Sequence, residues 1–347
     1  MSLYAIDFFC GAGGLTRGLL DAGINVIAGL DNSILCKETY EANNSPSRFI
    51  QCDIRDFPND LLSNLLDDVR NDDLLFAACA PCQPFARLNK TGRNEDAKLL
   101  SSFAYYIEQF MPNYVFIENV DGLKKVKGNS TYKRFLSKLN RLGYTFIELV
   151  VNAKDYGVPQ SRRRLIILAS RGKEPIPPIK THGKGLIPYV TVKDVISAYP
   201  KINAGDENGT IPNHKALRLE ALNLRRIKAT PHDGGGWRDW PKEIWLNCHK
   251  KDQTGHTDVY GRMNWDQPSP TLTCKCCSIS NGRYGHPEQD RAISFREAAK
   301  LQSFPDHYIF YASSNKELGK QIGNAVPVQL AKAIGEAFNS IYHQEVN

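Results

Sequence analysis

No apolar run in this chain of 347 residues approaches the roughly 20 residues that a membrane-spanning helix needs, so no membrane span is expected. The N-terminal stretch around Leu3-Tyr4-Ala5-Ile6-Asp7 is neither a basic segment followed by a long apolar one nor an Arg/Ser-rich amphipathic leader, so neither export nor organelle import is expected. Internal repeats and low-complexity tracts are missing too. The nine cysteines are an odd number, scattered from Cys10 to Cys277. Without a secretion signal this points to reduced thiols rather than a disulfide framework and leaves a catalytic thiol admissible. Cys79-x-x-Cys82 invites a redox or metal reading but lacks a second ligand pair at proper spacing, and Cys248, His249, His256, Cys274, Cys276 and Cys277 are irregularly spaced, so no metal is expected. A strong excess of one charge is also absent. Lys and Arg number 44 against 37 Asp and Glu, a net +7, which suits a polyanionic partner but equally an ordinary cytoplasmic enzyme.

From Tyr4 to Ser170 short β-branched or apolar runs alternate with amphipathic helical patterns. That alternation predicts an α/β fold, a parallel sheet with helices on both faces. The strands expected are Tyr4–Phe8, Asn25–Leu30, Leu74–Ala78, Tyr114–Ile117, Thr145–Asn152 and Leu165–Ala169. Ligands of open α/β sheets bind beyond the carboxyl ends of the strands, so residues just after these runs are candidates for function. Three parts are expected: a catalytic and cofactor-binding domain over 1–172, a smaller loop-rich domain over 173–287, and 288–347 as a hinge and a C-terminal helix returning to the first domain. Apolar spacing predicts helices over Ser294–Ser303 and Val328–Tyr342.

Phe9-Cys10-Gly11-Ala12-Gly13-Gly14 follows the first strand and precedes a helical run. Closely spaced glycines let backbone approach a ligand, and the helix start offers free N–H groups. Alone, such a turn is equally a plain βα turn or the loop of an NAD-binding fold. Asp31, at the end of the second strand, is placed to accept from ribose hydroxyls, while Asp53-Ile54 offers an acceptor for an adenine amino group and an apolar wall; together these favour an adenosine ligand. After the run Leu74–Ala78 come Cys79-Ala80-Pro81-Cys82-Gln83-Pro84. Prolines flanking Cys82 stiffen the chain and suit a nucleophile, whereas Cys79 reads as a structural cysteine. Glu118 ends the next strand and can face the same cleft. In Gln160-Ser161-Arg162-Arg163-Arg164, extended backbone would point Gln160, Arg162 and Arg164 one way and Arg163 the other.

Taken in order, DFFCGAGG, APCQPF, ENV, QSRRR, RAISFREAAKLQSFP (Arg291–Pro305) and GNAVP (Gly323–Pro327) resemble the motif series of the C5 DNA cytosine methyltransferases of bacterial restriction-modification type. The resemblance implies a Rossmann-like methyltransferase sheet binding S-adenosylmethionine, a target-recognition domain over 173–287, and methylation of carbon 5 of a cytosine flipped out of double-stranded DNA. It implies Cys82, Glu118, Arg162 and Arg164 as catalytic residues. The cofactor would be bound by Phe9, Gly11, Ala12, Gly14, Asp31, Asp53, Ile54, Pro81, Asn324 and Ala325, the last two carried by the returning helix. DNA contacts would come from Gln83, Arg87, Lys90, Arg93, Arg238, Thr271 and Arg283; serine is frequent in the family where this chain has Ala86. A cytoplasmic monomer paired functionally with a restriction endonuclease is expected. The related transfer-RNA branch usually carries a Cys-Phe-Thr tripeptide that this chain lacks.

Overall fold

β-Branched and apolar runs do become strands here. A computed structural model describes residues 2–80, 95–125, 130–251 and 258–346. The strands are β1 (Tyr4–Phe8), β2 (Asn25–Asp31), β3 (Arg48–Gln51), β4 (Leu74–Ala78), β5 (Tyr114–Val120), β6 (Thr145–Asn152) and β7 (Arg163–Ser170). The helices are α1 (Gly14–Asp21), α2 (Lys37–Asn43), α3 (Asn59–Leu65), α4 (Glu95–Phe110), α5 (Ser130–Arg141), α6 (Val192–Ile196), α7 (Ala221–Ala229), α8 (Asn247–Lys251), α9 (Phe295–Leu301), α10 (Asn315–Asn324) and α11 (Val328–Val346).

Among the described residues the strands form one seven-stranded sheet ordered β3-β2-β1-β4-β5-β7-β6. It is mixed, which corrects the expectation of a parallel sheet. β1 to β5 run parallel, but β7 pairs antiparallel with both β5 and β6. The reason is the connection: β6 reaches β7 through a single 3-10 turn, Ala153–Tyr156, and a short loop, with no crossover helix to reverse the chain. Central β4 is buried along its whole length, as a strand covered on both faces must be. Phe8 of β1 meets Phe76 of β4 and Phe103 of α4 edge-to-face, with centroids 5.1 Å apart in each case.

The chain divides into two compact units. One comprises Met1–Tyr156, Arg163–Thr181 and Val326–Asn347; the other comprises Gly157–Arg162 and His182–Ala325. In the first, α11 lies along α1, where Asn339 Nδ2 donates to the Ala22 carbonyl at 2.7 Å. The second is poor in regular structure, with short helices, 3-10 turns and isolated bridges. It runs to Ala325, beyond the 287 boundary read from the sequence, and so includes α9 and α10. Its interior combines apolar packing, with Trp237, Trp240, Ile244 and Tyr260 among others, and a buried ion pair. Arg291 and Glu297 meet through two contacts of 2.7 Å, and Glu297 also closes a capping box with Ser294 at the start of α9. The run Arg291–Pro305 is thus a structural clamp.

Candidate active site

The carboxyl ends of β1 to β5 in the first unit build its chemistry. After β1 the chain turns sharply: Phe9 has φ 63°, Gly11 φ 50° and Gly13 φ 85°. This left-handed backbone suits glycine and is unusual for Phe9. A side chain on Gly11 would meet nothing within 4 Å, so the loop faces open space. Its shape is fixed by Asp31 at the end of β2, whose Oδ2 accepts from Gly11 N at 2.9 Å and whose Oδ1 accepts from Ser33 N at 2.8 Å. Ala12 and Gly14 are buried, Gly14 opening α1. Asp53 follows β3, and its carboxylate is held by Arg55, with Nε 2.8 Å from Oδ1 and Nη2 2.6 Å from Oδ2. That hydrogen bonding keeps its pKa below the ordinary value. Ile54 lies in the apolar core and Phe9 packs at its margin.

Beneath the loop, Asp7 is fully buried. Thr16 Oγ1 donates to its Oδ2 at 2.6 Å, and the chain of contacts continues to Tyr40 at 3.0 Å and Ser47 at 2.7 Å. Burial raises the Asp7 pKa to about 7, with the nearby charge of Asp31 adding to the rise and the Thr16 hydrogen bond opposing it. Burial also pushes the Cys10 and Cys277 thiols far up and Cys52 to about 12. These three cysteines are therefore thiols, not thiolates, near neutral pH.

Further along the same edge sits Glu118 on β5, 3% exposed. Arg164 Nε of neighbouring β7 lies 2.8 Å from its Oε1, an ion contact in which the N–H is not aimed at the oxygen, so Oε1 has no hydrogen bond among the described residues. From the other neighbouring strand, Cys79 Sγ donates to Glu118 Oε2 at 3.0 Å. Cys79 is half-buried and bonded to a functional candidate, a contact that its sequence reading as a structural cysteine did not include. What would have revealed it is the β4 to β5 register, in which Cys79 and Glu118 stand one step past the pair Ala78–Ile117. Pro81, Cys82, Gln83, Arg87, Lys90 and Arg93 lie outside the described residues.

The remaining candidates belong to the second unit. Burial alternates as extended backbone requires, with Gln160 and Arg162 buried and Ser161 and Arg163 exposed. Arg162 donates to the carbonyls of Leu272 (2.9 Å), Gly323 (3.3 Å) and Ala325 (3.3 Å). Gln160 accepts from Leu272 N at 3.0 Å and donates to Gln302 Oε1 at 2.8 Å. Thr271 Oγ1 donates to the Ser161 carbonyl at 2.8 Å, and Tyr284 OH donates to the Thr271 carbonyl at 2.9 Å. Asn324 ends α10 and Ala325 caps it, so neither sits on the returning helix α11. Asn324 is exposed and accepts from Cys274 Sγ at 2.8 Å. Arg283 Nη1 is turned inward onto the carbonyls of Gly234 (2.7 Å), Gly235 (3.1 Å) and Arg262 (3.1 Å). Arg238, by contrast, is exposed beside the Trp237 ring.

A mixed sheet of this order, with a glycine loop after its first strand and an acidic group at the end of its second, defines an S-adenosylmethionine-dependent methyltransferase fold. A prophage-encoded Escherichia coli protein described as a DNA modification methyltransferase shares it with a TM-score of 0.77 at 20% identity, over 99% of this chain and 100% of that one. The chain belongs to the family described as C-5 cytosine-specific DNA methylase, whose profile matches residues 3–340. It is 41% identical over 339 residues to the type II methylase M.HgiDII of Herpetosiphon aurantiacus, covering 96% of this chain and 94% of the relative. It is 33% identical to the type II methyltransferase M1.HphI of Haemophilus parahaemolyticus, over 97% of this chain and 87% of that one. The protein is a DNA cytosine-5 methyltransferase of the type II restriction-modification kind, with S-adenosylmethionine as methyl donor. The residues fit that donor: open space over Gly11, a carboxylate at the end of β2, and apolar side chains at Phe9 and Ile54. No helix among the described residues is long and apolar enough to cross a membrane.

Proposed function

We propose that this methyltransferase acts on a cytosine within a specific short sequence of double-stranded DNA, through a covalent adduct between Cys82 and a base flipped out of the helix. By this reading it protects host DNA from a cognate restriction endonuclease, and works as a cytoplasmic monomer bound to the nucleoid through DNA. The observation that carries it is the pair of Glu118 on β5 and Arg164 on β7, Glu118 standing on the strand next to β4, after which the sequence runs on to Cys82.

Carbon 5 of cytosine is a weak nucleophile, and carbon 6 is shielded while the base is stacked and paired, which requires extrusion. The Cys82 thiolate adds to carbon 6, and the ring electrons shift toward N3. Glu118 shares a proton with N3, which takes it up as the electrons arrive, and accepts from the exocyclic amino group, while Arg164 binds O2 and stabilises the charge that develops. S-Adenosylmethionine, when bound, supplies an electrophilic methyl group to carbon 5. A base then removes the carbon 5 proton, the Cys82–carbon 6 bond breaks and the thiolate returns. In this scheme Phe9, Gly11, Ala12, Gly14, Asp31, Asp53, Ile54, Pro81, Asn324 and Ala325 hold the donor. The inertness of the Cys10, Cys52 and Cys277 thiols supports Cys82 as the nucleophile. Arg162, bound to three carbonyls, acts by shaping the segment that leads to Arg164. Gln83, Arg87, Lys90, Arg93, Arg238 and Thr271 contact DNA. Arg283 serves the same end from within by holding the glycine turn at Gly234-Gly235.

The test begins by mapping 5-methylcytosine in plasmid DNA from cells expressing the protein. An oligonucleotide duplex with 5-fluorocytosine at the mapped position should then trap the enzyme covalently when the methyl donor is present, because fluorine cannot leave as a proton does. Cys82→Ser should bind the donor yet form no adduct. Absence of an adduct through residue 82 overturns the mechanism, and methylation of RNA alone overturns the substrate.

A further inference from the structure

Glu118 is gripped from both sides, and the two grips differ in kind. In the sheet order β4-β5-β7, Arg164 approaches from β7 and Cys79 from the end of β4. Arg164 Nε lies 2.8 Å from Oε1 but does not aim its N–H at it, so it supplies charge without direction. The Cys79 thiol, 3.0 Å from Oε2, is the one hydrogen-bond donor aimed at this carboxylate among the described residues. Charge alone does not set the rotation of a carboxyl group, whose terminal torsion is broad and roughly two-fold. A directed donor does set it.

We infer that Cys79 is a positioning residue for Glu118: its thiol fixes the plane of the carboxyl group so that the edge bearing Oε1, which accepts no hydrogen bond among the described residues, meets the amino group of the target cytosine and, through a shared proton, N3. The inference deepens the reading of Glu118 given above and rests on it. The donor stands on firm ground. Cys79 N bonds the Phe8 carbonyl at 3.3 Å, which continues the β1 to β4 pairing one residue beyond Ala78, and the register carries Cys79 alongside Glu118. Glu118 is 3% exposed, so bulk water has little access to replace the thiol if it is lost. A carboxyl group free to turn would still bind its ion partner, yet would present the wrong edge to the base for part of the time. Such a fault falls on the transition state rather than on binding of DNA or donor.

The experiment compares Cys79→Ala, Cys79→Ser, Glu118→Gln and the double variant Cys79→Ala/Glu118→Gln on a duplex oligonucleotide carrying the mapped site. Single-turnover rate, KM for DNA and calorimetric Kd for S-adenosylmethionine are measured for each. Glu118→Gln should lower the rate severely. Cys79→Ala should lower it about tenfold, in line with losing one hydrogen bond to a charged group, with KM and Kd within about twofold of the parent. Cys79→Ser, which keeps an O–H donor, should restore most of the rate, and Cys79→Ala should add nothing once Glu118 is glutamine. Full turnover by Cys79→Ala, a loss confined to KM, no rescue by serine, or an unchanged tenfold loss on the glutamine background would each overturn the positioning role. Full turnover by Glu118→Gln would instead overturn the role of the carboxylate itself.

Discussion

At the scale of single residues, Asp31 shows how one carboxylate serves two purposes. Its two oxygens hold Gly11 N and Ser33 N, so the group that orders the glycine loop is also the one proposed to meet the ribose. Asp31→Ala should therefore weaken S-adenosylmethionine binding at least tenfold in calorimetry while thermal stability falls by only about 1 kcal/mol, the worth of ordinary hydrogen bonds; donor affinity equal to the parent would remove Asp31 from the site. Tyr284 offers a second case. Its hydroxyl holds the Thr271 carbonyl, so Tyr284→Phe should cost about 1 kcal/mol and, by loosening Thr271 to Thr273, raise methylation at sites one base pair removed from the mapped one. Sequencing of methylated plasmid would detect the change, and an unaltered site preference would separate this tyrosine from recognition. The sequence picks out the glycine loop, Asp31 and Glu118 as candidates because they stand directly after strand-like runs, and the structure places them at the ends of β1, β2 and β5. Cys79 and Tyr284 are not picked out in this way, because each acts through a partner 39 and 13 residues away, and no local spacing encodes such a meeting.

Among the elements, packing of α11 on α1 is the contact that closes the first unit. Gly18 sits where a side-chain carbon would lie 2.3 Å from Ala331 Cβ and 2.5 Å from the Val328 carbonyl, so the two helices approach as closely as backbone permits. Gly18→Val should force them apart and cost about 3 kcal/mol, the upper end for overpacking. Chemical denaturation should show that loss, and a stability within 0.5 kcal/mol of the parent, ~the scatter of neutral surface changes, would contradict the close approach. The reading of elements from sequence succeeded where a run was long and apolar: β1, β4 and β6 were found with the bounds they have. It failed for β3, whose Arg48–Gln51 is short and polar at both ends, and for α10, whose Asn315–Asn324 carries few apolar positions. The antiparallel placement of β7 was equally hidden. A strand buried on both faces presents the same apolar run whichever way it points, and direction is decided by the short connection from β6.

On the scale of the whole molecule, the two units carry buried titratable groups with opposite responses to acid. In the second unit His286 is 2% exposed, and its Nδ1 accepts from Glu288 N at 3.1 Å and Gln289 N at 3.0 Å, so a proton there would displace both. Burial chiefly, with Arg291 and Arg262 adding to it against the pull of Glu297, depresses its pKa from 6.5 to about 3. The unfolded chain then binds more protons than the folded one between those values, and this unit loses stability as pH falls from 6.5 toward 3. Asp7 in the first unit works the other way. Its pKa is raised from 3.8 to about 7, so the folded form binds the extra proton, and that unit gains stability as pH falls from 7 toward 3.8. Each group contributes at most about 1.4 kcal/mol per pH unit, and over the shared window the two largely cancel in any measurement that averages the molecule. Calorimetric melting between pH 7 and 5 should instead separate into two transitions, the earlier one assigned to the second unit by hydrogen exchange of its peptides. Asp7→Asn should flatten the response of the first unit and His286→Phe that of the second. A single transition that shifts as one, with neither variant changing its slope, would mean that the two buried groups do not govern the response of the molecule to acid.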